Sequence, residues 1–474
     1  MQITPGLVSR PLLLACCVLL LVSCADNNND IDPPPVDPPV EPTPTASARE
    51  ATESSDLLQG PLARSAVGDF VLENDLLRVI IQRPGRRWFG IGTYGGNIID
   101  SSAKKADGSF FPDHLEEFVV GVNIENTPNY TDVSIVNDGG DGEAAVICAS
   151  GPDDLLDYIN ASSAIRGLGF SFPDSADDRD LPLDIETCYS LAPGQRYVTM
   201  DTSLRNTGAQ DLTIYQVEYL NGSGQVEAFQ PLAGFGEPLL TPDCPVERMV
   251  GCSSDASGQC DQCNYLAFTG VDGALGVSYG LIHEVPGTSS FSTSGVNVLV
   301  LGRSVLNFVL GLAPPNFTVP AEGELTLRRY FAVGDGSASS IGDIRNDIFG
   351  IETGELSGRV TSAGAPLQAA QVAVYQTINA QTNPPSLFMA AHTRTDSEGN
   401  YRMTLPPGDY EVHANMEGYL FDNQGPALAA IRVGETVSQD FELPAPGQLE
   451  VSVTDQEGPV PAKLQLVGFD PSPP

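Results

Sequence analysis

Short runs of apolar and polar positions, broken every few residues by Gly, Pro, Asn or Asp, fill the chain from about Leu57 to Ile351. The segments Phe70–Glu73, Leu77–Gln82, Glu117–Ile124, Ala144–Ala149, Tyr197–Leu204, Leu212–Leu220, Ala274–Leu281, Val296–Leu301 and Leu325–Val333 are short and rich in Val, Ile, Tyr and Leu. Such runs predict strands. Tyr197–Leu204 partly alternates before an Arg205-Asn206-Thr207-Gly208 turn, as a half-buried strand does. Helical periodicity is scarce, and Ile341–Phe349 is the one modest candidate. About 290 residues of this pattern predict a large antiparallel two-sheet sandwich.

The two ends of the chain depart from that pattern. An apolar run, Pro11–Val22, follows Arg10 and is closed by Leu21-Val22-Ser23-Cys24. It is too short for a hydrocarbon core that needs roughly 20 apolar residues, so it predicts an export signal rather than a span. The tetrad resembles a bacterial lipobox, which implies cleavage before Cys24 and acylation of that cysteine. An ordinary secretory signal with a chance cysteine is the alternative. No later apolar run reaches membrane length, so lipid on Cys24 is the expected membrane connection. Ala25 after the cysteine favours the outer membrane, by resemblance to lipoprotein sorting; its face is left open. Residues 24–55 read as a Pro-rich tether, with Pro33-Pro34-Pro35, Pro38-Pro39 and Pro42 and little to bury.

Charge narrows the partners. The net charge is −38, from 61 acidic against 23 basic residues, and the lysines are Lys104, Lys105 and Lys463. A surface this negative repels nucleic acid and anionic lipid. Of nine cysteines, Cys16 and Cys17 lie in the signal and Cys24 at its end. The remaining six, Cys148, Cys188, Cys244, Cys252, Cys260 and Cys263, form an even set in an exported chain and predict disulfides, with 15 conceivable pairings. The close group Cys244 to Cys263 suits a stapled loop better than zinc, since it carries no histidine. Cys148 and Cys188, each on an expected strand, then form the third pair.

Asn74–Ile81, Tyr94–Asp100 with its Gly95-Gly96-Asn97 turn, and Thr187–Gly194 followed by Val198–Asn206 resemble galactose-mutarotase-type sandwiches. That resemblance implies a large sandwich over 56–351 with a sugar-handling sheet face. The family's catalytic histidines and glutamate do not carry over. This domain has only His114, beside Glu116, and His283, beside Glu284. Those four would make an acid–base set only if the fold assembled them, and an ordinary structural role is the competing reading.

Gly354–Thr361, Gln371–Tyr375 and then Thr395–Val412, with Asp396, Gly399, Tyr401, Pro406-Pro407-Gly408 and Tyr410, resemble a carboxypeptidase-regulatory-like module. This implies a seven-stranded prealbumin-type sandwich over 352–445. Gly399 is expected to take positive φ in a tight turn, and Tyr401 and Tyr410 to anchor the core. Residues 446–474 begin the module again: Gly447–Thr454 echoes Gly354–Thr361 at a period of 93, and Gly458–Val467 echoes Gly364–Val374. The ending Val460–Asp470 resembles the lead into the catalytic domain of exported PHP-type metal-dependent phosphoesterases. No His-x-His metal motif exists in this chain, and His392 and His413 fall on expected strands.

The strongest ligand candidate by sequence is the turn holding Arg83, Arg86, Arg87 and Trp88, the only tryptophan. It suits stacking on a sugar or clamping a carboxylated glycan; the plainer reading is a hairpin whose arginines neutralise nearby acid. The acidic loop Asp174, Asp177, Asp178, Asp180 and Asp184 lacks the spacing of a known calcium loop, and Asp138–Glu143 reads as a turn. The expected fold is therefore all-β. The expected function is binding or scaffolding at the cell envelope, with a glycan as ligand class and without catalysis, cofactor or metal. Alternatives are the non-catalytic front of a secreted phosphoesterase, or a mutarotase or lyase.

Overall fold

The computed structural model describes residues 45–86, 94–122, 126–155, 179–214, 216–231, 234–235, 265–270, 276–283, 288–292, 298–303, 317–379, 386–419, 426–445, 450–456 and 458–463. These lie in one compact unit, Pro44–Pro474. Two antiparallel sheets form its larger part. The first runs, in spatial order, through Ala46–Glu50, Phe70–Asn74, Leu77–Ile81, Ile98–Ala103, Leu115–Val122, Gln216–Gly222, Val298–Arg303 and Thr288–Ser292. The second runs through Asp132–Asn137, Ala145–Leu155, Leu183–Leu191, Tyr197–Asn206, Glu324–Gly334, Ser278–His283, Tyr265–Gly270 and Val226–Gln230. The short strand Asn126–Pro128 pairs with both Leu115–Val122 and Ala145–Leu155 and so ties the sheets together.

Alternation decides which side chains meet between the sheets. Along Tyr197–Asn206 every second residue is buried, and Val198 and Met200 enter the core with Tyr189, Leu281 and Phe331. Leu72, Val79, Phe118 and Leu220 enter it from the first sheet, and the Phe118 and Phe331 rings meet at 6.3 Å. On the second sheet Cys148 and Cys188 face each other in register and form a disulfide.

Three expectations need correction. The tether does not extend to residue 55: Ala46–Glu50 is a strand paired with Phe70–Asn74, and Ala46, Ala48, Ala51 and Leu58 are buried. Small alanines alternating with Ser47 and Arg49 give a weak apolar signal, yet they fill a close-packed position well. The segment 212–220 is not one strand either. Leu212–Ile214 pairs with Phe317–Val319, whereas Gln216–Gly222 belongs to the first sheet. The helix is longer than the apolar pattern suggests. It spans Ala338–Phe349, begins where Ser337 Oγ accepts the Ser340 N–H (3.2 Å), and stops at Gly350 with φ 61°.

The smaller sandwich carries Gly354–Ser362 at the centre of one sheet, antiparallel to Asn400–Leu405 and parallel to Thr436–Ser438 and Phe441–Glu442. The opposing sheet is Ser386–Arg394, Gln371–Asn379, Gly408–Asn415 and Ala427–Ile431. Gly399 sits at φ 78°, and Asp396 Oδ1 accepts the N–H groups of Glu398 (3.0 Å) and Asn400 (2.8 Å). Tyr401 and Tyr410 are buried and donate to the carbonyls of Gln439 (2.6 Å) and Pro406 (3.0 Å). Beyond the smaller sandwich, Thr454–Asp455 pairs with Gly458–Pro459.

The helix joins the two sandwiches. Ala338, Ile341 and Ile344 pack with Phe229, Tyr265 and Ile282 of the larger one, and Met389 of the smaller one packs against the same cluster. Phe235 meets His392 edge-on at 4.7 Å between ring centroids. Asp343 accepts the backbone N–H (3.1 Å) and the hydroxyl of Thr404.

Candidate ligand-binding cleft

The arginine turn is built into the sandwich. Asp69 is fully buried, and its carboxylate receives the Arg83 backbone N–H (3.1 Å), the Ala66 N–H (2.7 Å) and the Arg86 guanidinium. Burial pushes the Asp69 carboxyl above its ordinary value despite these donors. Arg86 also donates to the Arg64 carbonyl, and Arg83 reaches the Val67 carbonyl at 3.1 Å. Both arginines therefore hold the 64–69 loop in place. Arg87 and Trp88 lie outside the described residues, as do Cys24, Cys244, Cys252, Cys260 and Cys263.

His114 is buried, its Nδ1 lies 3.1 Å from Ser223 Oγ, and burial lowers its basicity. Its backbone N–H donates to the Tyr279 hydroxyl at 2.9 Å. Tyr279 precedes His283 by four strand positions, about 13 Å of strand. Glu116 accepts instead from Asn221 Nδ2 at 2.6 Å. The side chains of His283 and Glu284 lie outside the described residues. His114 Nδ1 thus faces a hydroxyl rather than a carboxylate.

Asp174, Asp177 and Asp178 lie outside the described residues, and Asp184 pairs with Arg205. Asp138 and Asp141 cap their own turn by accepting the N–H groups of Gly140 (2.9 Å) and Glu143 (3.0 Å). Among the described residues no three His, Cys, Asp or Glu side chains are grouped to hold a metal ion.

A polar chain that sequence gave no sign of crosses the large core. The Tyr130 hydroxyl meets Thr187 Oγ1 (2.6 Å), Thr187 meets Thr202 Oγ1 (2.7 Å), and Arg329 Nη1 donates to Thr202 (2.9 Å). Arg329 Nε then donates to Glu218. All five are buried, so the contacts form an interior network between the two sheets.

Open space lies where the two sandwiches meet, in a polar cleft of about 880 Å³. Its floor is the outer face of the smaller sandwich's first sheet. There Ser357 stands opposite Arg402, and Arg359 opposite Asn400. Ser438 lies beside Ser357 on the other flank. The larger sandwich contributes Thr269, Asp335 and Ser337, and the helix contributes Asp343. Burial raises the Asp343 carboxyl to about 6, and burial holds the His392 imidazole down at about 3. His392 is therefore a neutral packing residue. Ser357, Arg359, Asn400, Arg402 and Ser438 did not stand out in the sequence, because Ser, Asn and Arg at two-residue spacing is how any exposed strand face reads.

Residues 355–444 match the profile of the carboxypeptidase regulatory-like domain, so the smaller sandwich is of that class. Among solved structures the chain is similar to a galactose mutarotase-like protein from Lactobacillus casei ATCC 334, at 9% identity over 56% of this chain and 100% of that one, with a TM-score of 0.31. A galactose mutarotase related enzyme from Lactobacillus acidophilus gives 9% identity, 57% and 98% coverage and a TM-score of 0.30. Slr1438 protein from Synechocystis sp. PCC 6803 gives 10%, 59% and 99%, and 0.30. No curated protein matches the chain.

Proposed function

We propose that this protein is a lipid-anchored envelope protein that binds or displays a glycan and performs no catalysis itself. One observation carries the ligand reading: the cleft between the sandwiches is roomy, lined mainly by polar groups and flanked by the helix that packs against both. Hydroxyl, amide, carboxylate and guanidinium groups alternate around it, which suits a polyhydroxylated ligand that both donates and accepts. A pre-set cleft also spares the ligand the cost of ordering two loose domains. Cys24 supplies the anchor in this reading, and the proline-rich stretch after it holds the sandwiches away from the lipid.

The full chain applied to a glycan array tests the ligand. Saturable binding that disappears in Ser357→Trp, where an indole fills the cleft floor, is the expected result. Absence of binding, or binding indifferent to that substitution, removes the reading. For the anchor, radiolabelled palmitate should enter the wild-type chain in a bacterial host and not Cys24→Ser. Equal labelling of the two would exclude acylation at Cys24.

A further inference from the structure

The cleft floor presents two guanidinium groups with most of their donors uncommitted. Arg359 and Arg402 lie on adjacent antiparallel strands, one register step off direct opposition, since Arg359 faces Asn400 and Ser357 faces Arg402. Diagonal neighbours of this kind stand about 7–8 Å apart and are bridged easily by long side chains. Each arginine spends its Nε on the protein: Arg359 on the Glu398 carbonyl (2.8 Å), Arg402 on Glu355 Oε2 (2.6 Å). Among the described residues their terminal nitrogens have no further hydrogen-bond partner, and the Arg402 side chain is 66% exposed.

The acids nearby do not claim those donors. Asp396 Oδ1 is taken by two backbone N–H groups of its own turn, and Asp440 Oδ1 by the backbone N–H of Arg359. Asp343 is occupied by Thr404. The nearest neighbours in register, Ser357, Asn400 and Ser438, are neutral and both donate and accept.

From this arrangement we infer that the cleft selects a carboxylate-bearing sugar, with the carboxylate held by Arg359 and Arg402 and ring hydroxyls by Ser357, Asn400 and Ser438. The inference rests on the glycan-binding reading above and narrows it. A planar guanidinium accepts a carboxylate through two parallel hydrogen bonds, which a neutral ester reproduces poorly. The net charge of −38 sets a second limit, because it repels a long polyanion. The ligand class is therefore a glycan with isolated acidic residues rather than a densely charged polymer.

The test uses the full chain on an array of carboxylated oligosaccharides, each paired with its methyl ester. At least one acid should bind tenfold or more tightly than its ester. In Arg359→Gln/Arg402→Gln that ratio should fall to near one, with an unchanged melting temperature showing that the fold is intact. Equal binding of every acid and ester by the wild type, or a ratio that survives the double substitution, overturns the inference. Glycan binding blocked by Ser357→Trp but blind to esterification would sink the carboxylate and spare the wider reading. Absence of all sugar binding would sink both.

Discussion

Arg329 and Glu218 form an ion pair inside the large sandwich, one from each sheet, with side chains 1% and 0% exposed. Arg329 sits on Glu324–Gly334 and Glu218 on Gln216–Gly222, so the pair pins the two sheets to one another. Thr202 takes a second Arg329 donor and the Leu327 carbonyl shares it, which leaves the cation well satisfied.

Removing one partner strands the other charge in a dry core. Glu218→Leu or Arg329→Met alone should each lose about 3–5 kcal/mol in urea unfolding. The double variant Glu218→Leu/Arg329→Met should recover much of that loss, since two apolar side chains pack where two charges had to be desolvated. A double variant no more stable than the worse single one would show that the pair is not the coupling that matters.

Asp153 gives a pH dependence with a definite sign. It is buried, it accepts from the Leu181 N–H and Asn126 Nδ2 (2.7 Å each), and burial, reinforced by Asp180 and Asp154, lifts its pKa to about 8. The unfolded value is near 4, so between about pH 4 and pH 8 the folded chain holds a proton that the unfolded chain has released. Its contribution is therefore full below pH 4 and is lost as pH rises through 8. Asp153→Asn should flatten the stability profile across that window by up to a few kcal/mol, as read by denaturant midpoints at a series of pH values.

Asp343 and Thr404 link the helix to the smaller sandwich through two hydrogen bonds. A double-mutant cycle with Asp343→Ala and Thr404→Val should give a coupling of roughly 1–2 kcal/mol. Asp343→Ala should also speed proteolysis near residues 350–354, between helix and strand. Simple additivity in the cycle would show that the contact does not couple the two sandwiches.

Gly96 has φ 73°, and a Cβ there would lie 2.4 Å from the Tyr130 ring. Its carbonyl also accepts the Tyr189 hydroxyl at 2.8 Å. Gly96→Ala should cost more than about 2 kcal/mol, through strain and a displaced Tyr130 together. A calorimetric melting temperature within a degree of wild type would refute the close-approach account.

Much of the architecture was legible from local pattern. Period-two runs marked most strands, because a half-buried strand exposes every second residue whatever lies beside it. Gly399 and its neighbours marked a turn because only a few residue types take that backbone. Cys148 and Cys188 were legible as a pair once the other cysteines were set aside. Local pattern, however, reports which face a residue takes and not which strand it faces. For that reason local pattern does not separate Ala46–Glu50 from the tether before it, nor split 212–220 between two sheets, whereas pairing with Phe70–Asn74 and with Phe317–Val319 does.

The chain by itself thus determined an all-β course, a regulatory-like second sandwich and a strongly acidic surface. Only tertiary structure decided which polar residues meet. Glu218 and Arg329 lie 111 positions apart, and Arg359 and Arg402 come together through strand register alone. The physical reason is that register and sheet order are set by packing summed over many distant contacts. No window of sequence contains that sum.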